Sequence, residues 1–172
     1  SNEERLQQTL RSIETVKQKI PNSYIVLIEG STLTTDEITK IMNKGCDKIH
    51  NVSEDIKHII NGPSKHVAEV HLLLDYINTI NNIDDYLTFN KLSGRYYLTE
   101  NFKWDKYSPD RPLVRCEKGK TFCHTRYYRF PTQFFSLYKK SLEDLLTNKE
   151  FLTGKYEIER YNPIKTFPDA IV

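Results

Sequence analysis

The sequence predicts an α/β fold, a mostly parallel sheet flanked by helices, and three observations support that reading. Apolar residues recur at helical spacing over 3–20 and again from 65 to about 80, as in amphipathic helices. Short runs rich in β-branched residues lie between them. The clearest, Tyr24-Ile25-Val26-Leu27-Ile28, has the composition of a strand buried on both faces of a parallel sheet. Helix and strand patterns alternate through the first ninety residues, and such alternation is the mark of strands joined by crossover helices. The second half reads as a β-hairpin and helices, with no linker or internal repeat, so a single domain is expected.

The elements follow in order. Leu6, Leu10, Ile13, Val16 and Ile20 form one helical stripe, which Pro21-Asn22 ends. The apolar run at 24–28 closes on Glu29-Gly30-Ser31-Thr32. Thr34 and Glu37 have capping-box spacing for a second helix, and Gly45 sits where a C′ glycine belongs. Cys46 to Val52 reads as a short strand, and Ser53 to Ile60 as a short helix closed by Asn61-Gly62-Pro63. Lys65 opens a third long helix with Val67, Val70, Leu74 and Ile77 on one face. Leu87 to Lys91 is a strand leading to a turn at Ser93-Gly94. Val114–Lys118 pairs with Thr121–Tyr127 as a hairpin, and Leu137–Leu146 is a helix. The tail has no clear period. A parallel α/β fold usually opens on a strand, whereas this sequence opens on a helix and ends on Asp169-Ala170-Ile171-Val172. Either a first strand lies outside it, or Ser1-Asn2 is the remnant of one.

With 25 basic and 23 acidic residues the net charge is +2, which excludes a polyelectrolyte and a generic basic nucleic-acid binder. The charge is uneven. Residues 103–140 carry ten basic and three acidic side chains, which suggests an anionic ligand or a solvated hairpin surface. Mean hydropathy is −0.61, and neither a membrane span nor a signal peptide is visible. Cys46, Cys116 and Cys123 make an odd count with no Cys-x-x-Cys, which argues against a disulfide framework and for a reducing compartment. His66 and His71 lack the i,i+4 spacing of a metal pair, and Cys116, Cys123 and His124 lack zinc-ligand spacing. Neither a metal site nor a cysteine hydrolase is expected.

Several motifs in a consistent order support a resemblance. The first helix contains Gln8-Thr9-Leu10-Arg11-Ser12-Ile13, the first strand ends on Glu29-Gly30-Ser31-Thr32, and a later strand enters Lys91-Leu92-Ser93-Gly94-Arg95-Tyr96. In this the chain resembles nucleotide-sugar glycosyltransferases of the GT-A fold. It is similar above all to the small glycosyltransferase-like proteins of large DNA viruses and bacterial polysaccharide clusters. The resemblance spans residues 3–102; beyond it, Arg126-Tyr127-Tyr128 and Ile158-Glu159-Arg160 match in order alone. It implies a GT-A-like, Rossmann-like domain over 1–172, with 1–102 the nucleotide-sugar half and 103–172 the acceptor half. The implied protein is cytoplasmic, in the host cytoplasm if viral. It would move a sugar from a UDP- or GDP-sugar to a hydroxyl of a glycan or glycoprotein.

The resemblance also implies roles. Thr9, Glu29, Gly30 and Ser31 fall on the donor side. Nucleotides sit at the carboxyl ends of strands in open α/β sheets, and a carboxylate such as Glu29 there accepts hydrogen bonds from a ribose or a base. The plainer reading of Glu29 and Ser31 is a turn that satisfies itself. Lys65 at a helix N-terminus offers an anion site near the donor diphosphate, or else pairs with Glu69 at i,i+4. In the turn Ser93-Gly94-Arg95, glycine permits close approach to the backbone and Arg95 presents a planar, permanent cation. The turn departs from the family in lacking Asp-x-Asp, which holds Mn²⁺ or Mg²⁺ against the leaving diphosphate; Asp84-Asp85 lies upstream. Either Arg95 replaces part of the metal's charge or catalysis has been lost.

Inverting transfer needs a base within reach of the acceptor hydroxyl, and Glu159, with Glu157 beside it, holds the late position of that base in the family. Arg126 and Tyr127 are acceptor or anion candidates within a basic block. That block interleaves Arg111, Arg115, Lys118, Lys120, Arg126 and Arg129 with Phe122, Tyr127, Tyr128 and Phe130. Single-stranded nucleic acid suits this pattern; ordinary hairpin alternation also produces it. Three readings therefore stand: a transferase, an inactive binding module of the same fold, and a nucleic-acid binder using the hairpin.

Overall fold

The structure, a computed structural model, describes residues 2–116, 123–154, 164, 167, 168, 170 and 171. Two units interleave along the chain: Ser1–Asn51 with Leu92–Lys106, and Val52–Lys91 with Tyr107–Val172.

In the first unit, α1 (Asn2–Lys19) precedes a parallel pair, β1 (Val26–Glu29) and β2 (Lys48–Asn51), joined by α2 (Thr35–Asn43). The expected capping box opens α2. Thr34 Oγ1 accepts from Glu37 N at 3.2 Å, and the Glu37 carboxylate accepts from Thr34 N at 2.7 Å. The bond from the Thr34 backbone, then that from its hydroxyl, holds the Glu37 carboxyl below its usual range. Gly45, with φ of 113°, lets the chain leave α2 through the left-handed region. Leu6, Ile13, Ile41 and Cys46 form the core, with Leu10, Ile25, Leu27, Leu33 and Ile49 packed around it. Every residue of β1 is half-buried, so the expectation of a strand buried on both faces is corrected. β1 has one neighbour, β2, in a two-stranded sheet, too narrow a surface to be covered on both sides.

The second unit contains α3 (Lys57–Ile60) and α4 (Lys65–Ile77). It continues with β3 (Thr88–Leu92), β4 (Leu113–Cys116), β5 (Cys123–Pro131), α5 (Phe135–Leu145) and α6 (Lys149–Leu152). Its sheet has the order β3-β5-β4. β4 and β5 run antiparallel, as the hairpin pattern predicts, with Leu113 opposite Arg129. The core is aromatic. Phe130 stacks on Phe89 at 5.2 Å and lies 4.7 Å from Tyr138, and Phe167 meets it edge-on at 5.9 Å. The buried hydroxyls of Tyr128 and Tyr138 bond to each other. Burial pushes both phenols up.

The architecture is thus mixed α/β, with a short parallel sheet and an antiparallel one. Two expectations are corrected. β3 does not extend the parallel sheet; it pairs with β5. Apolar patterning identifies a strand and leaves its partner open. Here side chains fix the partner: Tyr127 Oη donates to Asn90 Oδ1 at 3.0 Å, and Lys91 Nζ donates to Thr125 O at 2.6 Å. Nor are all the cysteines free thiols. Cys46 is a buried thiol, pushed up in pKa by that burial, but Cys116 is disulfide-bonded. The β4–β5 register sets Cys116 opposite Cys123, a juxtaposition that a separation of seven residues does not announce. Among the described residues no helix is long and apolar enough to cross a membrane.

Cys116→Ser is expected to remove about 2 kcal/mol of stability, the value for a cross-link closing a short hairpin loop. That lowers the melting temperature by roughly 4–8 °C in a chain of this size. Calorimetry with and without a thiol reductant measures it; an unchanged transition in both contradicts the cross-link.

Candidate functional site

After β3 the chain makes a tight turn. Tyr96 N donates to Ser93 O at 2.9 Å, which leaves Gly94 and Arg95 at the centre. Neither central residue has a positive φ. A Cβ on Gly94 would meet nothing within 4 Å. The fold therefore does not demand glycine here, and its effect is to leave room over the backbone.

Helix α1 holds this segment by side chains. Ser12 is buried, and its hydroxyl approaches Gly94 O at 3.3 Å and Tyr96 O more closely. Thr15 Oγ1 donates to Ser12 O at 3.1 Å and accepts from Leu98 N at 3.0 Å. The Arg11 guanidinium lies over the Tyr97 ring, 3.5 Å from its centroid. Tyr96 and Tyr97 stay partly open to solvent, 41% and 40% exposed. Arg95 is exposed and has no hydrogen-bond or ion-pair partner among the described residues.

The other donor-side candidates of the first unit are placed as follows. Thr9 is half-buried on α1, three residues before Ser12. Glu29 ends β1, and Glu29 Oε1 accepts from Ser31 N at 2.9 Å and from Ser31 Oγ at 2.8 Å. The self-satisfied turn therefore forms, with Gly30 at its bend, while Oε2 has no partner among the described residues.

Lys65, Arg126 and Tyr127 belong to the second unit. Lys65 is exposed at the start of α4, beside an open groove of 380 Å³ lined also by Ser64, His66 and Thr153. Its expected pairing with Glu69 is corrected. Glu69 forms its ion pair with Lys91, whose side chain is 9% exposed. Lys91 Nζ also donates to Thr125 O at 2.6 Å and lies 5.7 Å from the centre of the Tyr128 ring. Arg126 is exposed. Tyr127 donates to Asn90, and burial pushes its phenol up to about 12, so it is a neutral donor at ordinary pH. Arg129, counted in the basic block, is 1% exposed, with its guanidinium bonded to the carbonyls of Tyr107 and Ser108. It is a core cation, not part of a surface patch, because its neighbours Tyr128 and Phe130 are also buried and break the in-out alternation. Glu157, Glu159, Lys118, Lys120 and Phe122 lie outside the described residues.

The sequence reading missed Ser12 and Thr15 as partners of the turn, and Lys91 with Glu69. A signal existed for Ser12, a small polar residue adjoining the apolar stripe of α1; none existed for the Lys91–Glu69 pairing. The divalent cation implied by the resemblance does not fit the turn. Ser93, Gly94, Arg95 and Tyr96 supply no carboxylate, and Arg95 already places a positive charge there. Among the described residues no group of three or more His, Cys, Asp or Glu side chains is arranged to hold a metal.

Gly94→Ala tests the reading of the glycine. Its backbone suits any L-residue and its Cβ is unopposed, so stability should be unchanged or rise by up to about 1 kcal/mol as the unfolded chain loses freedom. A melting temperature lowered by several degrees would show that the fold itself requires Gly94.

Comparison of the chain with protein-family models, with curated proteins and with solved structures finds no match.

Proposed function

We propose that the chain is a GT-A-like glycosyltransferase, binding the diphosphate of a UDP- or GDP-sugar at the Ser93–Tyr96 turn and transferring the sugar to a hydroxyl of a glycan or glycoprotein. One observation supports this above the others: an exposed, unpartnered Arg95 beside uncovered Gly94 backbone, on a turn anchored to α1. A guanidinium with its donors open to solvent can bond two phosphate oxygens at once. In the transfer the acceptor hydroxyl gives its proton to a carboxylate, for which Glu159 or Glu157 stands. The acceptor oxygen bonds to the anomeric carbon, and the bond from that carbon to the phosphate oxygen breaks. The electron pair departs on the diphosphate, and Arg95 faces the negative charge that builds there. Glu29 Oε2 is available to a ribose hydroxyl. No step is assigned to a metal.

A second reading, an inactive module of the same fold that binds a nucleotide sugar without turning it over, is favoured by the missing Asp-x-Asp at the turn. The nucleic-acid reading loses Arg129 to the core and retains Arg111, Arg115 and Arg126 at the surface.

Arg95→Ala is expected to weaken nucleotide-sugar binding by roughly 10–100-fold, the loss of a charge-assisted hydrogen-bonded contact, with the melting temperature of the free protein unchanged. Glu159→Gln separates the two leading readings. A transferase loses turnover and keeps donor affinity, whereas a binding module has no turnover at the outset. Wild-type affinity for oligonucleotides but for no nucleotide sugar, falling steeply with salt, would replace both by the nucleic-acid reading.

A further inference from the structure

We propose that Ser12 is a positioning residue: its buried hydroxyl, with Thr15 one turn later, sets the backbone geometry in which the turn offers Gly94 and Arg95 to an anionic ligand. The ligand part of this inference rests on the nucleotide-sugar reading above; the positioning part does not. Two stretches singled out separately in the sequence, 82 residues apart, are joined by this contact.

A serine inside a helix is a poorer helix former than alanine and usually turns its hydroxyl back to the carbonyl four residues earlier. Ser12 does approach Gln8 O, at 2.9 Å, but Gly94 O and Tyr96 O compete for the same single proton. For α1 itself alanine would serve as well or better. What alanine would lose is the hold on the turn. Gly94 and Tyr96 are exposed, so their carbonyls can take up water once released, and the loss falls on geometry more than on stability. Thr15 holds the same segment at a second point, receiving the Leu98 amide, so a turn released at Ser12 loosens that bond too.

Hydrogen exchange on the full chain, with calorimetric titration by UDP and by GDP as probes, tests this on wild type, Ser12→Ala, Ser12→Thr and Thr15→Val. In Ser12→Ala the amides of Tyr96 and Leu98 should exchange about tenfold faster, the scale of one lost hydrogen bond, while those of α2, β1 and β2 keep their rates. Affinity for the nucleotide that wild type binds should fall by a similar factor. Ser12→Thr, which retains the hydroxyl, should restore both. Unchanged exchange in Ser12→Ala overturns the positioning role whatever the titrations give. Faster exchange with tight nucleotide binding retained overturns its bearing on the ligand. Faster exchange where wild type binds neither nucleotide upholds the hold on the turn and removes the nucleotide-sugar reading instead. Thr15→Val, which removes the acceptor of the Leu98 amide itself, sets the scale of one lost bond; if Ser12→Ala does not fold, Ser12→Cys, close in shape but a far weaker donor, decides by the same exchange of Tyr96.

Discussion

The candidate site depends on a polar contact, the hydroxyl of Ser12 set between α1 and the carbonyls of Gly94 and Tyr96. The segment it holds is irregular and largely exposed, with Leu98 as its buried apolar anchor. A segment with so little apolar surface to bury has to be ordered by specific bonds if it is to be ordered at all. Thr15 and Arg11 add two more from the same helix. The result is a backbone held by side-chain bonds, with Arg95 exposed above it. That division suits binding, since the geometry is established beforehand and the charged group remains free for a ligand.

Charge in the second unit is used in the opposite way. Lys91 and Arg129 are taken into the interior, and each is met there by acceptors: Glu69 and Thr125 O for Lys91, the carbonyls of Tyr107 and Ser108 for Arg129. A buried cation is tolerable on these terms and costly without them. Lys91 thereby joins α4, β3 and β5, and Arg129 fixes the loop that enters β4. The basic region in sequence therefore resolves into surface groups, Arg111, Arg115 and Arg126, and an interior one, Arg129. Lys91 lies in β3 with its side chain buried, and Arg95, four residues later, is exposed with no partner among the described residues.

Local elements were legible in the sequence because local physics sets them. The stripe of α1, the capping box at Thr34 and Glu37, the left-handed Gly45 and the hairpin at β4–β5 all depend on residues close together in the chain. The partner of β3, the cross-link at Cys116, the interior place of Arg129 and the pairing of Glu69 with Lys91 were not legible. The cross-link depends on strand register, and the other three depend on residues more than 20 apart in the chain. The site was legible in half. Gly94 and Arg95 stand out by composition, a flexible residue beside a permanent cation. The helix that holds them does not, because its serine is ordinary until the fold places it under the turn.

The most direct test is an equilibrium titration of the wild-type chain with UDP-sugars and GDP-sugars, in parallel with Arg95→Ala, at moderate and at high salt. The account predicts saturable binding of one nucleotide family by wild type, weakened by high salt far less than a nucleic-acid contact, and roughly 10–100-fold weaker in Arg95→Ala. Equal affinity in the two proteins, or no binding of any nucleotide sugar, would contradict it.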